Sequence, residues 1–160
     1  MLEAILSTEA FIVSIDEALI RFATDRNSDR AMAFKDEMEA TLEDAGLRGV
    51  KLGLVTQMTS HDVVATCEII FGRHFIKRFD VVIPSDHSFM GWLGLPRIAS
   101  ALTILDVPSH RALAVVCNEA DAQEAYETGI SQRWYVDEPD ETAPTEPYSY
   151  VGNSAHHLIN

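Results

Sequence analysis

Short apolar runs rich in β-branched residues alternate with longer stretches of helical period along most of this chain, and that alternation constrains the fold most. Phe11-Ile12-Val13-Ser14-Ile15 reads as a first strand, because β-branched side chains favour the pleated backbone. From Ser28 to Leu47, residues Met32, Phe34, Met38, Leu42 and Ala45 recur at three- and four-residue spacings, which marks one face of a helix. Ser28 or Asp29 suits its start, and Gly46 or Gly49 its end. Lys51 to Thr56 predicts a second strand, and Ser60 to Phe71 a helix closed by Gly72. Phe79 to Ile83 predicts a third strand ended by Pro84. Leu95 to Leu105 follows as a helix with Ile98, Leu102 and Leu105 on one side. Arg111 to Cys117 is a fourth strand, Glu119 to Thr128 a helix stopped by Gly129, and Arg133 to Val136 a fifth strand.

Strands that are apolar on both faces need cover on both sides, and helices between them provide it. The expected fold class is therefore α/β: a Rossmann-like three-layer α/β/α sandwich around a mostly parallel five-stranded sheet. Right-handed crossovers make such a sheet doubly wound. A single core domain is expected over residues 1–136. Beyond it, 137–160 turns acidic and proline-containing without apolar periodicity, as in Asp137-Glu138-Pro139-Asp140-Glu141. That composition suits a flexible tail.

The formal net charge of -13 argues against nucleic acid as a partner, since phosphates are repelled by an acidic surface. No run approaches the ~20 apolar residues that cross a bilayer. The N-terminal stretch has acids in place of the basic start of a signal peptide. Cys67 and Cys117 are far apart and neither has a CxxC partner, so both read as reduced packing residues. A cytoplasmic setting away from membranes is the expectation.

In doubly wound sheets, ligands sit at the carboxyl ends of the strands where the strand order reverses. That rule selects Ser14 and Asp16, Thr56, Pro84 to His87, and Cys117 to Asp121. Each also has a structural reading. Ser14 and Asp16 suit a strand end that caps the next turn, and Thr56 suits a cap for the helix near Ser60. Asn118-Glu119 suits an ordinary helix N-cap, with acids favoured there by the helix dipole.

From about Ala10 to Ile130 these tips resemble, in order, the four motifs of the haloacid dehalogenase superfamily. Phe11 to Leu19 is similar to the first motif, a strand ending in Asp-x-Asp; Leu52 to Thr56 is similar to the second. Phe79 to Ile83 resembles the strand before the third motif, and Val115 to Asp121 the fourth. The resemblance implies phosphatase chemistry through an aspartyl-phosphate, aided by magnesium. It places Ser14 at the nucleophile's position and Asp16 at that of the second aspartate, which protonates the leaving group and activates water. Thr56 falls to the phosphate-binding hydroxyl. Only Arg97, within Gly91 to Arg97, stands near the expected lysine, and Asn118 replaces a magnesium-binding aspartate, with Glu119 and Asp121 nearby.

These departures compound. Magnesium is held largely by carboxylates, and Ser14 with Asn118 removes two negative charges from its shell. A serine hydroxyl needs an adjacent base to act as a nucleophile, and the sequence places no histidine to do so; His87, at the third strand tip, is the nearest candidate. The resemblance therefore implies a catalytically impaired pseudo-phosphatase, kept as a binding, regulatory or structural module with weak or lost magnesium binding. The alternative is an active magnesium-dependent phosphohydrolase of altered mechanism, in which Asp16 directs water or Ser14 while Glu119 or Asp121 holds the metal. The roughly 40 residues between Asp16 and Thr56 leave no room for the larger cap domains of relatives. An open site of this kind suits a large substrate, a partner subunit or no substrate. The expected partner is a protein or a phosphorylated small molecule, with self-association of the chain as a further expectation.

Overall fold

The structure, a computed structural model, describes residues 7–86 and 96–136, and beyond them the backbone of Gly152–Asn153 and His157–Leu158. The elements run β1 (Ala10–Ile15), α1 (Glu17–Ala23), α2 (Asp29–Leu47), β2 (Lys51–Thr56), α3 (Ser60–Phe71) and β3 (Val81–Ile83). They continue with α4 (Arg97–Leu105), β4 (Ala112–Val116), α5 (Glu119–Thr128) and β5 (Gln132–Tyr135). These five strands are parallel, in the order β3-β2-β1-β4-β5. The short pairs β6 (Gly152–Asn153), parallel to β5, and β7 (His157–Leu158), antiparallel to β6, extend that edge. The rest of the acidic tail, with His87 and Gly91 to Leu95, lies outside the described residues.

Side-chain alternation along the strands divides the core in two. Phe11, Val13 and Ile15 of β1, Leu52 and Leu54 of β2, Leu113 and Val115 of β4, and Trp134 of β5 face one layer. There they meet Leu19 and Ala23 of α1, Phe34, Met38 and Leu42 of α2, and Val63 and Cys67 of α3. Phe34 makes edge-on contacts with Trp134 at 5.5 Å and Phe22 at 5.6 Å, a geometry that adds to simple burial. On the opposite face, Ile12, Val55, Ile83, Ala114 and Val116 pack against Ile98, Ala101, Leu102 and Leu105 of α4 and Ala122 and Ala125 of α5. The crossovers from β1 to β3 thus cover one face and those from β3 to β5 the other. The winding reverses between β1 and β4.

Among the differences from the sequence expectation, three have a local cause. α1 is additional: a helix of 7 residues burying only Leu19 and Ala23, too short to show a helical period. β3 starts at Val81 rather than Phe79, because Phe79 follows a 3-10 turn, Ile76–Arg78. At Asp80 the side-chain carboxylate, not a backbone carbonyl, accepts from Leu52 N at 2.8 Å. Arg111 belongs to another 3-10 turn, Ser109–Arg111, instead of β4, and its guanidinium pairs with Glu9 at 2.9 Å. Cys67 and Cys117 are both buried, and burial pushes the Cys67 thiol up to about 12. No described helix is long and apolar enough to cross a membrane.

Candidate functional site

The carboxyl ends of β1 and β4 adjoin at the reversal point, so the loops after them bring residues far apart in sequence together. Ser14 lies on the α4/α5 face of β1, and its side chain meets α5. Its hydroxyl, in a residue only 4% exposed, donates to Asp121 Oδ2 at 2.6 Å. That length lies at the short end of the range for hydroxyl donors. Asp16, just past β1, caps α1: its Oδ1 accepts from Ala18 N at 3.0 Å and Leu19 N at 3.2 Å. Its Oδ2 accepts from Asn118 Nδ2.

Asn118 is the N-cap of α5, with Oδ1 accepting from Asp121 N at 2.8 Å. That bond orients the amide, because the oxygen must face the helix and the NH2 group must face away. The NH2 then lies between two carboxylates, donating to Asp16 Oδ2 and, at 3.0 Å, to Asp121 Oδ2. Ser14, Asp16, Asn118 and Asp121 therefore form one hydrogen-bonded network. Burial, with the Asp121 carboxyl beside it, pushes the Asp16 carboxyl up to about 6.

The other candidates sit apart from this network. Thr56, 2% exposed, accepts from Met58 N at 3.0 Å. It is Thr59, not Thr56, that caps α3, accepting from Asp62 N at 3.3 Å. Glu119 is exposed in the first turn of α5. Arg97 opens α4, near Glu124, whose carboxylate accepts from Ile98 N at 3.3 Å and is pushed up chiefly by burial. Asp86, beyond the third strand, accepts from both Ser60 N and Ser60 Oγ, tying that tip to the start of α3.

A cleft of about 740 Å³ opens beside the network, lined among others by Asp16, Glu17, Gln57, Thr59, Asp62 and Asn118. The N-termini of α1, α3 and α5 all converge on it. Converging N-termini favour an anion. Here the chain supplies its own: Asp16 at α1, Asp62 in the first turn of α3 and Asp121 in that of α5. Sequence reasoning did not single out Gln57, Thr59 or Asp62. The signal available for them was the Thr59-x-x-Asp62 spacing at a helix start.

The sequence matches no protein-family model and no curated protein. Solved structures do match. CbbY from Rhodobacter sphaeroides, solved in complex with phosphate, superposes with a TM-score of 0.57 at 17% identity, over 88% of this chain and 90% of that one. A protein assigned as a β-phosphoglucomutase from Thermotoga maritima gives 0.58 at 14% identity, over 85% and 88%. One assigned as a haloacid dehalogenase-like hydrolase from Bacteroides fragilis gives 0.53 at 12% identity, over 81% and 88%. The fold is haloacid dehalogenase-like.

Magnesium is the cofactor usual to haloacid dehalogenase-like phosphatases, and the donors at the strand tips can be tested against it. Such an ion needs an octahedron of oxygens with open lone pairs. Asp16 Oδ1 is engaged by two backbone amides, and Asp16 Oδ2 and Asp121 Oδ2 both face the Asn118 NH2. Among the described residues no group of three His, Cys, Asp or Glu side chains is arranged to hold a metal. The arrangement does not fit the ion.

Proposed function

We propose that this chain is a haloacid dehalogenase-like pseudo-phosphatase, a binding or regulatory module that carries out no phosphoryl transfer. The observation that carries the reading is the Ser14–Asp121 hydrogen bond at the nucleophile's position. A phosphatase of this fold needs a free carboxylate there to attack phosphorus. The hydroxyl that replaces it is buried and bonded to a neighbour. The cleft supports the same reading. Its described lining carries the carboxylates of Asp16, Glu17 and Asp62 and neither lysine nor arginine. It therefore suits basic side chains of a protein partner in the cytoplasm better than a phosphorylated small molecule. The test is hydrolysis of an aryl phosphate by the purified chain in millimolar magnesium. No turnover above buffer is expected; turnover abolished by Asp16→Asn contradicts the proposal.

One observation favours a second reading, an active phosphohydrolase of altered mechanism. Asp16 lines the cleft with its carboxyl raised to about 6, a value suited to proton transfer near neutral pH. In that reading Asp16 exchanges a proton with water or with a leaving group. A bell-shaped rate profile with an acidic limb near pH 6, lost in Asp16→Asn, distinguishes it from a contaminating phosphatase.

A further inference from the structure

We infer that the Asn118 side-chain amide takes the place of a divalent cation between Asp16 and Asp121, so that the strand tips hold together without metal. The inference rests on the reading of this site as non-catalytic and says how the fold survives the change. Two carboxylates brought to the tips of adjacent strands repel one another unless positive charge or hydrogen-bond donors lie between them. In this chain the Asn118 NH2 lies there, with one N–H directed at each carboxylate. The amide cannot turn over without cost, since its oxygen holds Asp121 N at 2.8 Å and caps α5. The Ser14 hydroxyl adds another donor to Asp121, and the amides of Ala18 and Leu19 add two to Asp16. Each of these donors belongs to the chain itself. Ser14 and Asn118 act as a matched pair: each is a neutral group that donates to an acid of the cluster.

The experiment compares thermal unfolding in chelator and in millimolar magnesium at matched ionic strength, for the natural chain and for Asn118→Asp. The natural chain is expected to melt at the same temperature in both. Asn118→Asp places a third carboxylate in the cluster; it is expected to melt several degrees lower in chelator and to regain that loss in magnesium. A magnesium-dependent rise in the natural chain overturns the inference. So does a folded Asn118→Asp that is neither weakened nor responsive to magnesium. Should the variant fail to fold, the Asn118 NH2 resonances of the natural chain decide: unchanged positions across a magnesium titration support the inference, and a saturable shift overturns it. Aryl phosphate turnover in chelator defeats the pseudo-phosphatase reading alone, whereas magnesium binding without turnover defeats only the inference.

Discussion

The Ser14 hydroxyl donates to the Asp121 carboxylate at 2.6 Å, joining the end of β1 to the first turn of α5 across 107 positions of chain. Because the donor is buried, removing this bond leaves its partner group short of a hydrogen bond that water does not readily replace. Ser14→Ala is expected to destabilise the chain by about 1–3 kcal/mol. Urea unfolding checks this. A double-mutant cycle with Asp121→Asn separates the bond from the loss of either group alone, and additivity of the two changes shows that the contact carries no coupling.

The Asp121 carboxyl is one reason that Asp16 is raised, but burial is the larger. Asp121→Asn is therefore expected to lower the Asp16 value from about 6 only part of the way toward 3.8. Carbon-detected NMR titration of the Asp16 carboxyl reads the shift directly. A value that stays at 6 removes Asp121 from the explanation, and a full return to 3.8 removes burial.

Stability should depend on pH in the sense opposite to that of a salt-bridged aspartate. Asp16 holds its proton more tightly when folded, at about 6, than the ordinary 3.8. Between those values the folded chain binds more protons than the unfolded chain, so its Asp16-dependent stability falls as pH rises. Well below pH 3.8 both states are protonated and that dependence vanishes. Asp16→Asn cannot ionise, so its stability relative to the natural chain should improve from pH 4 to pH 6.5, whatever constant loss the new amide brings. A difference that is flat over that range contradicts the raised value.

Gly129 ends α5 at φ +103, and a Cβ placed there comes within 2.6 Å of Ser109 Oγ. Left-handed backbone and side-chain overlap together should make Gly129→Ala destabilising by about 1–3 kcal/mol. Because the residue lies at the far end of α5 from Asn118, the Asp16 titration should not move. A change in both quantities would show that α5 transmits strain to the strand tips.

Elements with strong local signals were legible from the sequence. β2, α3 and α5 have the expected limits, Lys51–Thr56, Ser60–Phe71 and Glu119–Thr128, because glycines and polar caps bound them. α1 was not, since Leu19 and Ala23 are its only buried residues and its cap, Asp16, reads equally well as a site residue. The convergence of Ser14, Asp16 and Asn118 follows from the rule about strand tips. The Asp121 partnership does not, because it depends on how α5 is rotated over the sheet. Nor does the direction of the Asn118 amide, which the Asp121 N–H sets. Thr56 ends β2 as the sequence predicts, and the bond its hydroxyl accepts from the Met58 amide is set by the loop that follows.

Restoring the acids is the most direct measurement. Aryl phosphate hydrolysis should be followed in millimolar magnesium for the natural chain and for the pair Ser14→Asp with Asn118→Asp. The pseudo-phosphatase reading predicts no turnover by the natural chain, and any gained activity confined to the double variant and lost in chelator. Magnesium-dependent turnover by the natural chain, abolished by Asp16→Asn, would contradict it.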